Sequence, residues 1–234
     1  MPAELFPAFI KLEGRRCLVV GAGSIATSKI DSLLRAGARV TVVALHAKPE
    51  VAALVAAGKI VWHRREFCAS DLSGVFLSIA ATSDNSVNRA VFLESQKRGI
   101  LCNAVDDPPH CDFYFPAVVR RGDLQIAIST AGESPSVAQR FRREIEGALD
   151  ETVGDWLHFV GALRRHIMAT QPPSEARKKL LNLLAYSEIC DSIDCKNETR
   201  AIEFAGRHVH LPNDLPDHLH ELITADRLSI QEQR

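Results

Sequence analysis

Arg16-Cys17-Leu18-Val19-Val20-Gly21-Ala22-Gly23-Ser24-Ile25-Ala26 is an apolar run that ends in a Gly-x-Gly-x-x-Ala turn. In a strand-turn-helix that binds a dinucleotide, each small residue has its own job. Gly21 permits the tight turn, Gly23 lets the backbone approach a pyrophosphate without a Cβ in the way, and Ala26 keeps the helix close to the strand. The free N–H groups and the dipole of the helix that follows then hold the phosphates. The flanking residues meet the context this pattern requires. Ile25, Ile30, Leu33 and Leu34 fall on one helical face, Gly37 ends the helix, and Arg39 to Ala44 reads as the next strand.

Composition bounds the rest. The chain has 234 residues, 46% hydrophobic and 24% charged, enough for a sizeable core with one large domain and a smaller part. Its 28 Lys and Arg balance 29 Asp and Glu, which argues against a nucleic-acid partner or a membrane surface. No apolar run reaches membrane-spanning length, and Met1 to Phe9 lacks the features of a signal peptide, so a cytoplasmic protein is expected. Cys17, Cys68, Cys102, Cys111, Cys190 and Cys195 mostly sit in strand-like or buried contexts, which predicts reduced thiols.

The first hundred or so residues alternate strand and helix, as a parallel sheet with crossover helices requires. A helix is predicted over Pro49 to Ala57, strands over Lys59 to His63 and Val75 to Ala81, a helix over Asn85 to Arg98, and a last parallel strand over Ile100 to Val105. The character then changes. Phe113 to Arg120 and Leu124 to Thr130, joined by Arg121-Gly122-Asp123, read as a hairpin too apolar for a free edge, which predicts a symmetric homodimer. Ser134-Pro135 starts a helix with Val137, Phe141 and Ile145 as a buried stripe. Further helices are expected over Asp155 to Ala169, Ser174 to Glu188 and Leu215 to Ala225, with Gln171-Pro172-Pro173 as a linker. The domain reading is 1–112 for a dinucleotide-binding Rossmann-like α/β domain, 113–150 for the hairpin and its helix, and 151–234 for a helical C-terminal domain.

Ligands of open α/β sheets bind outside the carboxyl ends of the strands. The glycine turn, with Gly21, Ala22, Gly23, Ser24 and Ile25, is the first such end, and Ala44-Leu45 the second. The second lacks the acidic residue that often holds an adenosine ribose, so the sequence does not separate NAD from NADP. The third end carries Thr82 and Ser83, after which Asp84 or Asn85 either caps the next helix or meets cofactor. The fourth is Asn103-Ala104-Val105-Asp106-Asp107-Pro108-Pro109, where the prolines position Asp106 as either a turn former or a catalytic carboxylate.

These runs, followed by Asp112-Phe113-Tyr114-Phe115-Pro116-Ala117 and by Ser129-Thr130-Ala131-Gly132-Glu133-Ser134-Pro135, resemble the siroheme synthase family over residues 5 to 165, specifically its precorrin-2 dehydrogenase and sirohydrochlorin ferrochelatase module. The resemblance implies NAD-dependent oxidation of precorrin-2 to sirohydrochlorin, with Fe²⁺ as a further substrate in bifunctional members, a homodimer, and Asp106 as the principal catalytic carboxylate. Asn103, Gly132, Ser134 and Arg140 are the expected substrate contacts, the last three at a helix N-terminus suited to a polyanion. A solvated helix face that pairs the local arginines with Glu144 and Glu146 is the other reading. Glu133, Leu45 and Thr27-Ser28 depart from the family pattern, and a length ending at Arg234 leaves no room for the methyltransferase domain of larger members.

The histidines and cysteines near the C-terminus match no common zinc spacing, and no resident metal is expected. His110 and Cys111, close to Asp106, are either iron relays or loop packing. Two other functions fit the same sequence: a dehydrogenase whose partner inserts the iron, and a regulatory module that senses NAD or NADH.

Overall fold

A computed structural model of the chain describes residues 4–151, 153–170 and 172–183. The predicted helix at Leu215 to Ala225, the end of the helix predicted to Glu188, and the C-terminal histidines and cysteines lie outside these residues. The chain divides into two units. One runs to Phe115 and includes Ala131–Ser134, and the other takes Pro116–Thr130 and the described residues from Pro135 onward.

The first unit is a Rossmann-like α/β fold. Its strands are β1 (Arg16–Val20), β2 (Arg39–Val43), β3 (Ile60–His63), β4 (Leu77–Ala80) and β5 (Leu101–Ala104), all parallel in the order β3-β2-β1-β4-β5. Three helices belong to the same unit: α1 (Ser24–Arg35), α2 (Pro49–Ala56) and α3 (Asn85–Gln96). Because side chains alternate across a strand, β1 feeds two cores at once. Cys17 and Val19 join Ile30 and Leu33 of α1 on one face, while Leu18 and Val20 join Val91 of α3 on the other. Chain order reverses between β1 and β4, which makes the carboxyl edge there the topological switch point.

The second unit holds an antiparallel hairpin, β6 (Ala117–Arg121) and β7 (Leu124–Ile128), with α4 (Pro135–Ala148), α5 (Val153–Thr170) and α6 (Glu175–Leu183). The hairpin turns through Gly122 at φ 56°, and a Cβ there would come within 2.9 Å of the Gly154 Cα. Ala162, Leu163 and Ile167 are its buried residues on α5. No helix among the described residues is long and apolar enough to cross a membrane.

Some expectations need correction. Phe113 and Phe115 are not in the hairpin but pack against the β1–α1 core, because Pro116 cannot donate to a ladder and the Asn103 side chain captures the Phe113 carbonyl at 2.7 Å. Ile25 is 48% exposed, since a first-turn residue of α1 lies at the rim of the sheet. On α4 the buried residue is Ala138, whereas Val137 and Ile145 are half-buried and Phe141 is exposed.

Candidate active site

The glycine turn is held by backbone alone. Gly21 donates to the Val43 carbonyl at 2.9 Å, Ala81 to Val20 at 2.8 Å, and Lys48 to Ala22 at 3.1 Å. Gly21 has φ 109°, and a Cβ on it would strike the Ala81 carbonyl. Gly23 is different, because a Cβ there would meet nothing within 4 Å. The fold therefore requires Gly21 to be glycine, whereas space for a ligand is what a side chain at Gly23 would fill.

Two helices start at this edge and end their chains differently. Asp84 caps α3, its carboxylate accepting from the Ser86 N–H at 2.8 Å and the Val87 N–H at 3.4 Å. The Ser86 hydroxyl and these N–H groups hold its carboxyl below the ordinary range. Of the readings open for this loop, Asp84 as cap is the one the geometry adopts. α1 has Gly23 at its N-cap, no side-chain cap and no acidic residue in its first turn. Its first N–H groups and positive dipole end are left for an outside anion.

A cavity of about 620 Å³ lies between these helix starts. Gly21, Ala22, Gly23, Ala44, Leu45, Thr82 and Ser83 line it, whereas Ser24 and Ile25 do not. The Thr82 hydroxyl is fixed by Asn88, itself buried, at 2.8 Å. The far wall, missed from sequence, is His46, Arg65, Glu66 and Phe67 after β3. Arg65 forks onto Asp71 at 2.9 and 2.5 Å, and that pairing holds the Asp71 carboxyl down at about 2. Open space at Gly23, an uncapped helix start and a lining of small residues together fit a dinucleotide.

Asp106 lies outside that cavity, past the end of β5. It is exposed with φ 61°, a left-handed conformation uncommon for residues other than glycine but tolerated by Asp. Everything after it is tied down. Asp107 holds His110 through Oδ2 and Nδ1 at 2.7 Å, and the His110 ring meets Phe92 edge-on at 5.0 Å. Cys111 donates to the Ala104 carbonyl at 3.0 Å, and burial raises its thiol above the ordinary range. Asp112 accepts from the Cys102 N–H at 2.9 Å and from Gln96. Asn103, expected at the substrate, spends its amide on the Phe113 carbonyl and Cys111, so in this structure it holds the loop. His110 and Cys111 likewise serve as loop packing. Among the described residues, the Asp106 carboxylate has no hydrogen bond and no ion pair.

Lys29 of α1 is half-buried near this loop, its Nζ 3.8 Å from the Phe115 ring centre. Burial lowers its proton affinity, and the nearby Asp106 charge partly opposes that. Sequence reasoning passed over it, since a lysine on a helix carries no signal of its neighbours. Gly132 at φ 89° follows Ala131 at φ 51°, and Arg140 pairs with Glu144 at 3.4 Å on the exposed side of α4.

The family described as NAD(P)-binding matches residues 8–117, and the central domain of sirohaem biosynthesis proteins matches residues 121–148. A siroheme synthase of Neisseria meningitidis serogroup B is 44% identical over 159 residues, which is 68% of this chain and 33% of that protein. Siroheme synthase 1 of Pectobacterium atrosepticum is 42% identical over 173 residues, 74% of this chain and 36% of its own length. The chain thus spans about a third of the length of these relatives. A solved structure of SirC, precorrin-2 dehydrogenase, superposes with a TM-score of 0.74 at 28% identity and covers 87% of this chain and 98% of that one.

Proposed function

Because this chain belongs to the siroheme synthase family, we propose that it oxidises precorrin-2 to sirohydrochlorin with NAD. The observation that carries the reading is Asp106: an unpartnered carboxylate in a left-handed turn, on a loop pinned at each following residue, on the same sheet edge as the dinucleotide cavity. A bound nicotinamide supplies a hydride acceptor. The chain's own part is to bind, orient and move a proton. Gly23 and the first turn of α1 hold the pyrophosphate, and Thr82 and Ser83 close the opposite side. Asp106 accepts the proton that leaves a ring nitrogen as the hydride departs from carbon, so the two hydrogens lost by the substrate are both accounted for.

Arg65 supports NAD over NADP. Its guanidinium is already spent on Asp71, which leaves the Glu66 side of the cavity unattractive to a second phosphate. Fe²⁺ insertion is the natural extension, since it also removes pyrrole protons and Asp106 can accept them. The hairpin supports a homodimer in the cytoplasm. Among the described residues β6 and β7 pair only with each other, and an isolated two-stranded sheet is marginal until something covers it.

Anaerobic incubation with precorrin-2 and NAD, followed by absorption spectra before and after Fe²⁺ addition, tests this. Sirohydrochlorin formation is expected before iron and siroheme after it. NADH production without a change in the tetrapyrrole spectrum, or no reaction with NAD, would overturn the dehydrogenase reading.

A further inference from the structure

The charge of Lys29 is unused by the protein itself. No carboxylate among the described residues lies within 4.0 Å of its ammonium, and the one group it touches is the Phe115 ring at 3.8 Å. A half-buried ammonium without an acceptor is costly, and an aromatic face offsets only part of that cost. A lysine with no further task would carry its charge out to water along its flexible stem.

The surroundings narrow what could satisfy it. Lys29 does not line the dinucleotide cavity, which removes the pyrophosphate as its partner. Asp106 is near enough for its charge to raise the proton affinity of Lys29, yet the two form no ion pair. Opposite charges that feel each other without touching leave room for a ligand that is anionic on one side and carries N–H groups on the other. Phe115, packed against Phe113 with ring centres 5.5 Å apart, gives that ligand an apolar bed. A carboxylated tetrapyrrole has all three features: peripheral carboxylates, inner N–H groups and a broad apolar face.

We propose that Lys29 is a substrate-positioning residue, which takes one peripheral carboxylate of the tetrapyrrole and so sets the macrocycle with its ring nitrogens toward Asp106. This rests on the tetrapyrrole reading above. Lys29 takes no part in hydride or proton transfer, so its loss is a binding defect rather than a chemical one.

Lys29→Met keeps the length and apolar stem while deleting the charge, and Lys29→Arg keeps the charge. Steady-state oxidation of precorrin-2 is read alongside equilibrium binding of sirohydrochlorin, followed by absorbance, and of NAD, followed by calorimetry. For Lys29→Met, KM for precorrin-2 and Kd for sirohydrochlorin are expected to rise on the order of tenfold, as for a lost charge-assisted hydrogen bond. Both kcat and Kd for NAD should stay within about twofold, and Lys29→Arg should recover most of the loss. Added salt should weaken wild-type sirohydrochlorin binding more than that of Lys29→Met. Unchanged tetrapyrrole affinity in a folded Lys29→Met, or a defect in NAD binding instead, overturns the assignment while leaving the dehydrogenase reading intact. Should that variant not fold, Lys29→Gln is read by the same measurements. A wild type that neither oxidises precorrin-2 nor binds sirohydrochlorin sinks the parent reading and this one with it.

Discussion

The end of β1 and the end of β5 lie on the same edge of the same sheet, yet one works by omitting atoms and the other by adding them. At β1, glycines, an uncapped helix and a first turn without acids leave backbone N–H groups free in open space. At β5, Asn103, Asp107, Cys111 and Asp112 tie down one short loop by side-chain bonds, and Asp106 alone stands clear. The first arrangement suits a ligand held by phosphates, because backbone donors cannot titrate or swing away. The second suits chemistry, because a proton acceptor must be both fixed and free of partners. A methyl group should therefore disable the first site and a lost charge the second.

The largest effect is expected where the β1 turn is dictated by the fold rather than by a ligand. Gly21→Ala forces a Cβ into the Ala81 carbonyl at φ 109°, and should cost about 3 kcal/mol or more of stability in urea unfolding. A cost below about 0.5 kcal/mol would mean that the strand ends slide apart, and the contrast with β5 would lose its rigid half. Gly23→Val lies two positions on, in open space, and should leave the unfolding midpoint nearly unchanged while weakening NAD binding beyond about a hundredfold. Calorimetry that finds normal affinity in the folded variant places the pyrophosphate elsewhere.

At β5, Asp106→Asn keeps shape and tolerance of the left-handed turn but removes the charge. It should lower kcat for sirohydrochlorin formation about a hundredfold, with NAD affinity within about twofold of wild type. Oxidation at the wild-type rate would return Asp106 to a turn-forming role and erase the functional difference between the two ends.

The smallest effect concerns the wall of the β1 cavity, where Asp71 holds Arg65. The Asp71 carboxyl titrates at about 2 in the folded chain against 3.8 ordinarily, so its contribution to stability is complete above 3.8 and fades as pH falls toward about 2. Asp71→Asn should thus lower the urea midpoint slightly at pH 6, with the gap to wild type closing as pH falls below 3.8. A gap that stays constant down to pH 3 would make the pair a packing contact rather than an electrostatic one.

Much of the fold was legible because its signals are local. The alternation of apolar strands with periodic helices, Gly37 after α1, and Pro135 opening α4 each act within a few residues. The hairpin limits were misread at Phe113 and Phe115, since their apolar alternation looks the same in a strand as in a core plug, and only Pro116 hinted at the difference. Ile25 shares the helical period of Ile30 and Leu33, but periodicity reports a face and not where the sheet stops. Asn103 and Asp106 were found as neighbours at a strand end. That one turns inward to hold the loop while the other stands free depends on the Phe113 carbonyl arriving beside β5.

By itself, then, the sequence determined the parallel Rossmann-like sheet, the glycine turn at its switch point and the carboxylate after β5, because strand period, glycine and proline act on the backbone where they stand. Only the tertiary structure decided which helix start stays open, which arginine is already spent on Asp71, and that Lys29 meets both an aromatic ring and a carboxylate. Those are outcomes of packing, where groups far apart along the chain become neighbours and the cost of burying a charge depends on what surrounds it.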